Sequence, residues 1–403
     1  MAFAPLHLAV ALEGAGWHPA AWREPAALPD ELLTGRYWTE LIQEAERGLI
    51  DYVTIEDAHA LQSSLPDRPD ERIDQVRGRL DAVLIAARVA PLTRHIGLVS
   101  TASVTHTEPF HLSKAIASLD YAAKGRAGVR VKVAWSAYEA ALFGRRPIPA
   151  FSIEEHDLPL VRELIQVLFE EAADVVEVLR RLWDSWEDDA EIRDASTGRF
   201  IDRDKLHYID FEGRWFHVKG PSITPRPPQG QPVVTVLAHD TVPYRLAARA
   251  ADVVYVTPTD WPTAQAIVAQ VRAQQEIARR GHETLHVFGD LVVFLGRTAK
   301  EAQQRKQRLD EAAGEEYTSD AHIFTGTAAQ LADLLLEWQA AGLSGFRLRP
   351  GAIPDDLAAI TGALVPELQR RGAFRREYDA ETLRGLLGLP RPVNRYAPTG
   401  AAS

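Results

Sequence analysis

A short apolar run followed by a segment with helical spacing recurs along this chain about eight times, and no other pattern in it restricts the fold as much. The runs are Leu6 to Leu12, Tyr52 to Ile55, Ile96 to Ser100, Val129 to Val133, Val233 to Ala238, Asp252 to Thr257 and Leu285 to Leu295, with Gly345 to Leu348 closing the series. Between them lie rows with the period of a helix: Trp38, Leu41, Ile42 and Ala45 ahead of a capping Gly48, then Asp74 to Ala90, then Phe110, Leu112, Ala115, Ile116 and Leu119. A longer row runs through Leu164, Leu168, Ala172, Val175 and Leu179, and further helices are expected over Ala264 to Arg280, Thr298 to Ala313, Ala328 to Ala341 and from Pro354 onward. Strand and helix alternating in this way predict an α/β protein, a closed (β/α)8 TIM barrel with insertion segments, in one domain over residues 1–403. Phe211 to Phe216 reads as a hairpin within the insertion, and the Pro-rich tail from Leu386 is expected on the surface or against a neighbour.

A barrel of this kind puts its chemistry in the loops that follow the strands. The third run opens into the hydroxyl residues Thr101, Ser103 and Thr105. The second ends in Glu56-Asp57, two carboxylates that would repel if both were buried without donors. An Asp at that junction would also serve as a helix cap. After the fifth run, His239-Asp240-Thr241 opens a helix, and a helix start offers free N–H groups and a positive dipole end to an anion. Gly14-x-Gly16 is not a dinucleotide loop, because Pro19 stands where a third glycine would be needed.

Composition excludes several alternatives. The chain has no cysteine, so disulfides, thiolate metal sites and a cysteine nucleophile are absent. A formal charge of −11, from 56 acidic and 45 basic side chains, argues against nucleic acid as a partner. No apolar run approaches the roughly 20 residues needed to cross a bilayer, and the first residues lack the pattern of a signal peptide, so the chain is expected in the cytoplasm, away from membranes. The 13 histidines are scattered rather than spaced as metal ligands, and no nucleophile-elbow, P-loop or zincin motif is present.

The strings GWHPAAWR, TIEDAHALQ, LWDSWEDDA, GPSITPRPPQGQP and AARAADVV, together with the stretch Ile96 to Gly128, resemble the bacterial luciferase-like flavin-dependent monooxygenases. They are most similar to the branch of the nitrilotriacetate, dibenzothiophene-sulfone and long-chain alkane monooxygenases. The resemblance implies an enzyme that uses reduced FMN and O2 on a small organic substrate, with the flavin supplied by a separate NAD(P)H:flavin reductase. It also implies a homodimer or homotetramer. His18 matches a loop histidine facing the active site, while Asp57 and Thr101 match flavin contacts. Four positions, with His239-Asp240 taken as one, depart from the pattern: Arg130 replaces an asparagine, Ile165 and Phe169 replace a His and a Tyr near the flavin phosphate, and His239-Asp240 replace two phosphate-binding serines. An amide that donates and accepts has thus become a cation that only donates. These departures leave open a barrel of the same descent that has lost flavin and serves as a binding or assembly protein.

Overall fold

Eight parallel strands close on themselves in chain order: β1 His7–Leu12, β2 Tyr52–Ile55, β3 Gly97–Ser103, β4 Ala127–Lys132, β5 Val233–Leu237, β6 Val253–Val256, β7 His286–Leu295 and β8 Gly345–Pro350. Closure is made by β8 lying against β1, with His7 opposite Gly345 and Val10 opposite Leu348. The computed structural model describes residues 5–63, 65, 68–151, 155 and 157–397. Helices α1 Gly35–Arg47, α2 Ala82–Val89, α3 Pro109–Ala122, α4 Ala137–Phe143, α5 Pro159–Asp184, α6 Thr241–Ala250, α7 Trp261–Ile277, α8 Ala299–Ala313 and α9 Ala328–Ala340 follow in order. The TIM barrel expected from the alternation is therefore the fold. At ten residues β7 outruns β6, which pairs with it only as far as Gly289. The edge left free above that point is taken by an additional parallel strand, His322–Gly326, alongside Leu291–Leu295.

The period of two along each strand divides its side chains between two cores. Outward residues such as Leu8, Val10, Leu12, Val53, Val129 and Val254 join the helices in one large apolar cluster. Inward residues Ala9, Tyr52, Val99, Val233, Val253, Tyr255 and Phe288 form a second cluster inside the barrel. The chain's own end completes it, because Leu383, Leu387 and Leu389 pack into this inner cluster from below. The short helix Leu383–Leu386 can approach so closely because glycines line the bottom of the barrel; a Cβ on Gly97 would sit 2.6 Å from a methyl of Leu383. The start of the tail, Leu386 to Leu389, is therefore built into the barrel, whereas Pro390 to Arg395, apart from Asn394, lie largely on the surface as the composition suggested. His286 donates to the Leu387 carbonyl at 2.8 Å, and Asn394 donates to the carbonyls of Asp184 and Trp186.

Two further boundaries differ from expectation. The second helix begins at Ala82, not Asp74, because the Asp74 carbonyl accepts from the side chains of Trp22 and Arg23. Asp81 then caps the helix through Leu84 N. β3 continues to Ser103, so Thr101 and Ser103 are strand residues facing inward and the loop starts at Val104. The expected hairpin is present, as Phe211–Glu212 paired with His217–Val218.

Candidate functional site

Above the apolar inner cluster the same inward alternation places charged groups, Glu56 after β2, Arg130 and Lys132 on β4, Asp290 on β7, and Arg347 and Arg349 on β8. All but Lys132 are joined in one continuous network. Arg130 Nη1 donates to Glu56 Oε2 at 2.7 Å, and Arg347 Nη1 reaches the other oxygen of that carboxylate at 3.1 Å. Arg347 also clasps Asp290 through Nε at 3.0 Å and Nη2 at 2.5 Å. Arg349 joins the same carboxylate through Nε at 3.0 Å and turns its Nη1 to Asp320 at 2.6 Å. His239 ends the series, 3.4 Å from Asp320 and with Nδ1 3.0 Å from the Thr257 hydroxyl. Arg347 lies over the Tyr255 ring at 4.3 Å and Arg349 over Trp17 at 4.5 Å, so each guanidinium has a ring as well as a carboxylate.

Arg347 and Asp290 are fully buried, where an unpaired charge would be costly. Burial works to raise the Glu56 carboxyl, but Arg130, Arg347 and Arg349 together hold it below the usual carboxylate range. Asp290 is likewise pushed up by burial and held down, on balance, by Arg347 and Arg349.

Beside the network, at the C-terminal mouth of the barrel, lies a cavity of about 350 Å³ lined by Glu13, Trp17, Glu56, Asp57, Arg79, Arg130, Lys132, Tyr138 and Glu139, among others. Arg79 is 3.2 Å from Glu13, and Lys132 Nζ donates to the Asp57 carbonyl at 3.3 Å. Among the described residues the buried Nε atoms of both Arg79 and Arg130 have no acceptor. Burial lowers the Lys132 ammonium, with Glu139 opposing that shift. The cavity is thus lined by three cationic side chains, two of which carry a buried nitrogen without an acceptor.

The residues expected from sequence are distributed unevenly around this cavity. Asp57 borders it, but its carboxylate accepts from Ala58 N at 2.7 Å and from Ala82 N, at the start of α2, at 3.0 Å; no helix begins at Asp57 itself, and the N-cap of α2 is Asp81. Burial raises this carboxyl against those two bonds. Thr101 is buried beneath the cavity, its hydroxyl 3.3 Å from Arg130 Nη1. His18 turns away: its Nδ1 accepts from Ala20 N at 3.1 Å and its Nε2 meets Asp310 on α8 at 3.0 Å, so both nitrogens are engaged locally. Asp240 is the N-cap of α6 and accepts from Val242 N at 2.9 Å. Phe169 and Val242 help line a groove of only about 40 Å³ between α5 and α6. Glu56 was singled out beforehand as one of two adjacent carboxylates in need of a donor, which Arg130 and Arg347 supply, whereas Lys132, Asp290, Arg347 and Arg349 were not. Their signal was available in the parity of the strands, since Tyr52, Thr54 and Glu56 share a face, as do Arg347 and Arg349. Among the described residues no group of three His, Asp or Glu side chains is placed to hold a metal.

The sequence model of the luciferase-like monooxygenases matches residues 16–341. The chain belongs to the luciferase-like monooxygenase family. It is 31% identical over 454 residues to N-acetyl-S-(2-succino)cysteine monooxygenase of Bacillus subtilis (strain 168), covering 97% of this chain and 98% of that one. It is 29% identical over 458 residues to nitrilotriacetate monooxygenase component A of Aminobacter aminovorans, with the same coverage of 97% and 98%. Among solved structures, long-chain alkane monooxygenase superposes with a TM-score of 0.84 over 95% of both chains at 23% identity, a likeness of fold. Riboflavin lyase with modified FMN and the substrate riboflavin superposes with a TM-score of 0.82 over 97% of both chains at 25% identity. The family and the branch read from the sequence strings are those found, and with them the assignment as a monooxygenase.

Proposed function

We propose that this monooxygenase works as the oxygenating half of a two-component system, taking reduced FMN from a separate NAD(P)H:flavin reductase and joining it with O2 and a small organic substrate in the mouth cavity. The observation that carries this is the cationic lining, Arg79, Arg130 and Lys132, of a cavity of about 350 Å³ at the end of the barrel where such folds keep their chemistry. They suit the carbonyl-rich edge of an isoalloxazine, and the relative named as component A supports a second component. Bound there, reduced flavin would supply the electrons and the activation of O2. The protein's part is to hold and shield: Arg130, fixed by Glu56 and Thr101, lines the cavity with positive charge, while Trp17 and Tyr138 wall it.

The phosphate end fits less well where the resemblance placed it. Asp240 already occupies the α6 N-terminus with its own carboxylate, and Ile165 and Phe169 offer no donor. Replacing Asp240 by Ser keeps the cap and removes a like charge. Asp240→Ser is therefore expected to leave riboflavin binding unchanged and, if the FMN phosphate lies at α6, to tighten FMN binding; fluorescence titration of both flavins reads the difference. Asp57→Ala is expected to cost about 1 kcal/mol of fold stability through the lost α2 contact, measured by urea denaturation, and about 1 to 3 kcal/mol of flavin affinity if the carboxylate also contacts the ring.

Anaerobic titration with reduced FMN tests the proposal as a whole. Micromolar binding, followed by incorporation of 18O from O2 into an organic product, is the expected result; no binding at millimolar flavin would sink it. A homodimer or homotetramer in the cytoplasm completes the proposal, and sedimentation velocity on the purified protein reads the assembly. Among the described residues no helix is long and apolar enough to cross a membrane.

A further inference from the structure

A second cavity, of about 260 Å³, lies on the far side of the β3 loop, between the start of α3, the end of α4 and the flank of α5. His59 and Phe143 stand between it and the mouth cavity: Thr107 Oγ1 is 3.4 Å from His59 Nε2, and Phe143 is packed edge-on to His59 and stacked on His106 at 4.9 Å. Three kinds of donor meet in it. His106, 7% exposed, lines the cavity with an Nε2 that has no partner. Arg146 spends Nη1 on Glu171 at 2.7 Å, leaving a buried Nη2 equally unpartnered. The 14-residue helix α3 starts there without a side-chain cap, so the first-turn N–H groups of Phe110 and His111 have no acceptor among the described residues.

Two carboxylates also line the cavity, and each is already matched. Glu108 is held by Arg145 at 2.5 Å on the rim and Glu171 by Arg146. Burial raises the Glu171 carboxyl against the pull of Arg146. A helix end, an imidazole and a guanidinium border one cavity, a set of groups suited to an anion with several free oxygens. Trp215 and Phe216 complete the lining with apolar surface for a ligand's body.

We propose that this cavity binds phosphate, either as the free ion or as the end group of a phosphomonoester, through His106, Arg146 and the N-terminus of α3. The site is separate from the mouth cavity and does not depend on the flavin chemistry proposed there.

The full chain, labelled with 15N at its histidines, is titrated with inorganic phosphate while the ring nitrogens are followed by NMR, His106 being assigned by the signal lost in His106→Phe. A saturable shift of His106 with a dissociation constant of about 1 mM or tighter is expected, weakened about tenfold in Arg146→Gln and unchanged in Asp240→Ser. Calorimetric titration of His106→Phe, which keeps the stack on Phe143, should show the same weakening and stands in if Arg146→Gln does not fold. Parallel titrations with FMN and riboflavin separate the sources: a shift with FMN but not riboflavin identifies a phosphomonoester, and a shift with inorganic phosphate alone identifies the free ion. A His106 signal that does not respond to phosphate, or affinity equal in wild type and both variants, overturns the proposal.

Discussion

Asp290→Asn is expected to destabilise the fold by about 3 to 5 kcal/mol, the cost of removing one partner from a buried ion pair. The carboxylate is fully buried and is the shared partner of two buried guanidiniums, those of Arg347 and Arg349. An amide can accept from one of them but offers no countercharge, and its own N–H group would face a donor. Arg347 keeps Glu56, and Arg349 keeps Asp320, which is 44% exposed and therefore the weaker substitute. Against a total stability of about 5 to 15 kcal/mol for a typical fold, the loss is large enough to read as a shift in the urea midpoint with little change in slope. A change below about 1 kcal/mol would mean that water or a rearranged Glu56 replaces the missing charge. Replacing Asp290, Arg347 and Arg349 together by apolar residues of similar volume should restore much of the stability.

Deleting residues from Thr382 onward should leave a chain that does not fold. That segment contributes Leu383, Leu386, Leu387 and Leu389, all buried, of which three fill the bottom of the inner cluster. It also carries Arg384, which with Arg180 holds the buried Asp252 carboxyl, otherwise raised by burial, far below the ordinary range. Each large-to-small change at such a leucine costs about 2 to 5 kcal/mol, so losing all of them exceeds what the remaining fold supplies. Leu383→Ala alone is expected to cost about 2 to 5 kcal/mol, visible as a lowered thermal midpoint. A soluble truncated protein with a native circular dichroism spectrum would show instead that the barrel closes without its plug.

The barrel was legible because its signal is long-range and redundant: many apolar runs and helical rows point to one topology. The site was only partly legible, because it turns on single-residue parity. Asp57 was favoured over Glu56 by likeness of the string TIEDAHALQ, yet the alternation from Tyr52 directs Glu56 inward and leaves Asp57 at the head of α2. Thr101 was placed in a loop because hydroxyl residues often mark one; its neighbour β4 extends far enough to keep it in the sheet. His18 has the local sequence of a functional histidine, and only the distant Asp310, on α8, shows where its ring is held. The shared role of Asp290, Arg347 and Arg349 depends on two strands adjacent in space but 57 residues apart. No local pattern states that pairing.

The pairing of β1 with β8 has a consequence for synthesis. One edge of the first strand is satisfied only by Gly345–Pro350, near the other end of the chain. While the ribosome is still making the residues between them, β1 carries an open hydrogen-bonding edge and the half-built sheet exposes apolar surface. The nascent barrel must therefore wait for almost its whole length before it can close, and throughout that interval it is a natural client for chaperones that shield unpaired strands.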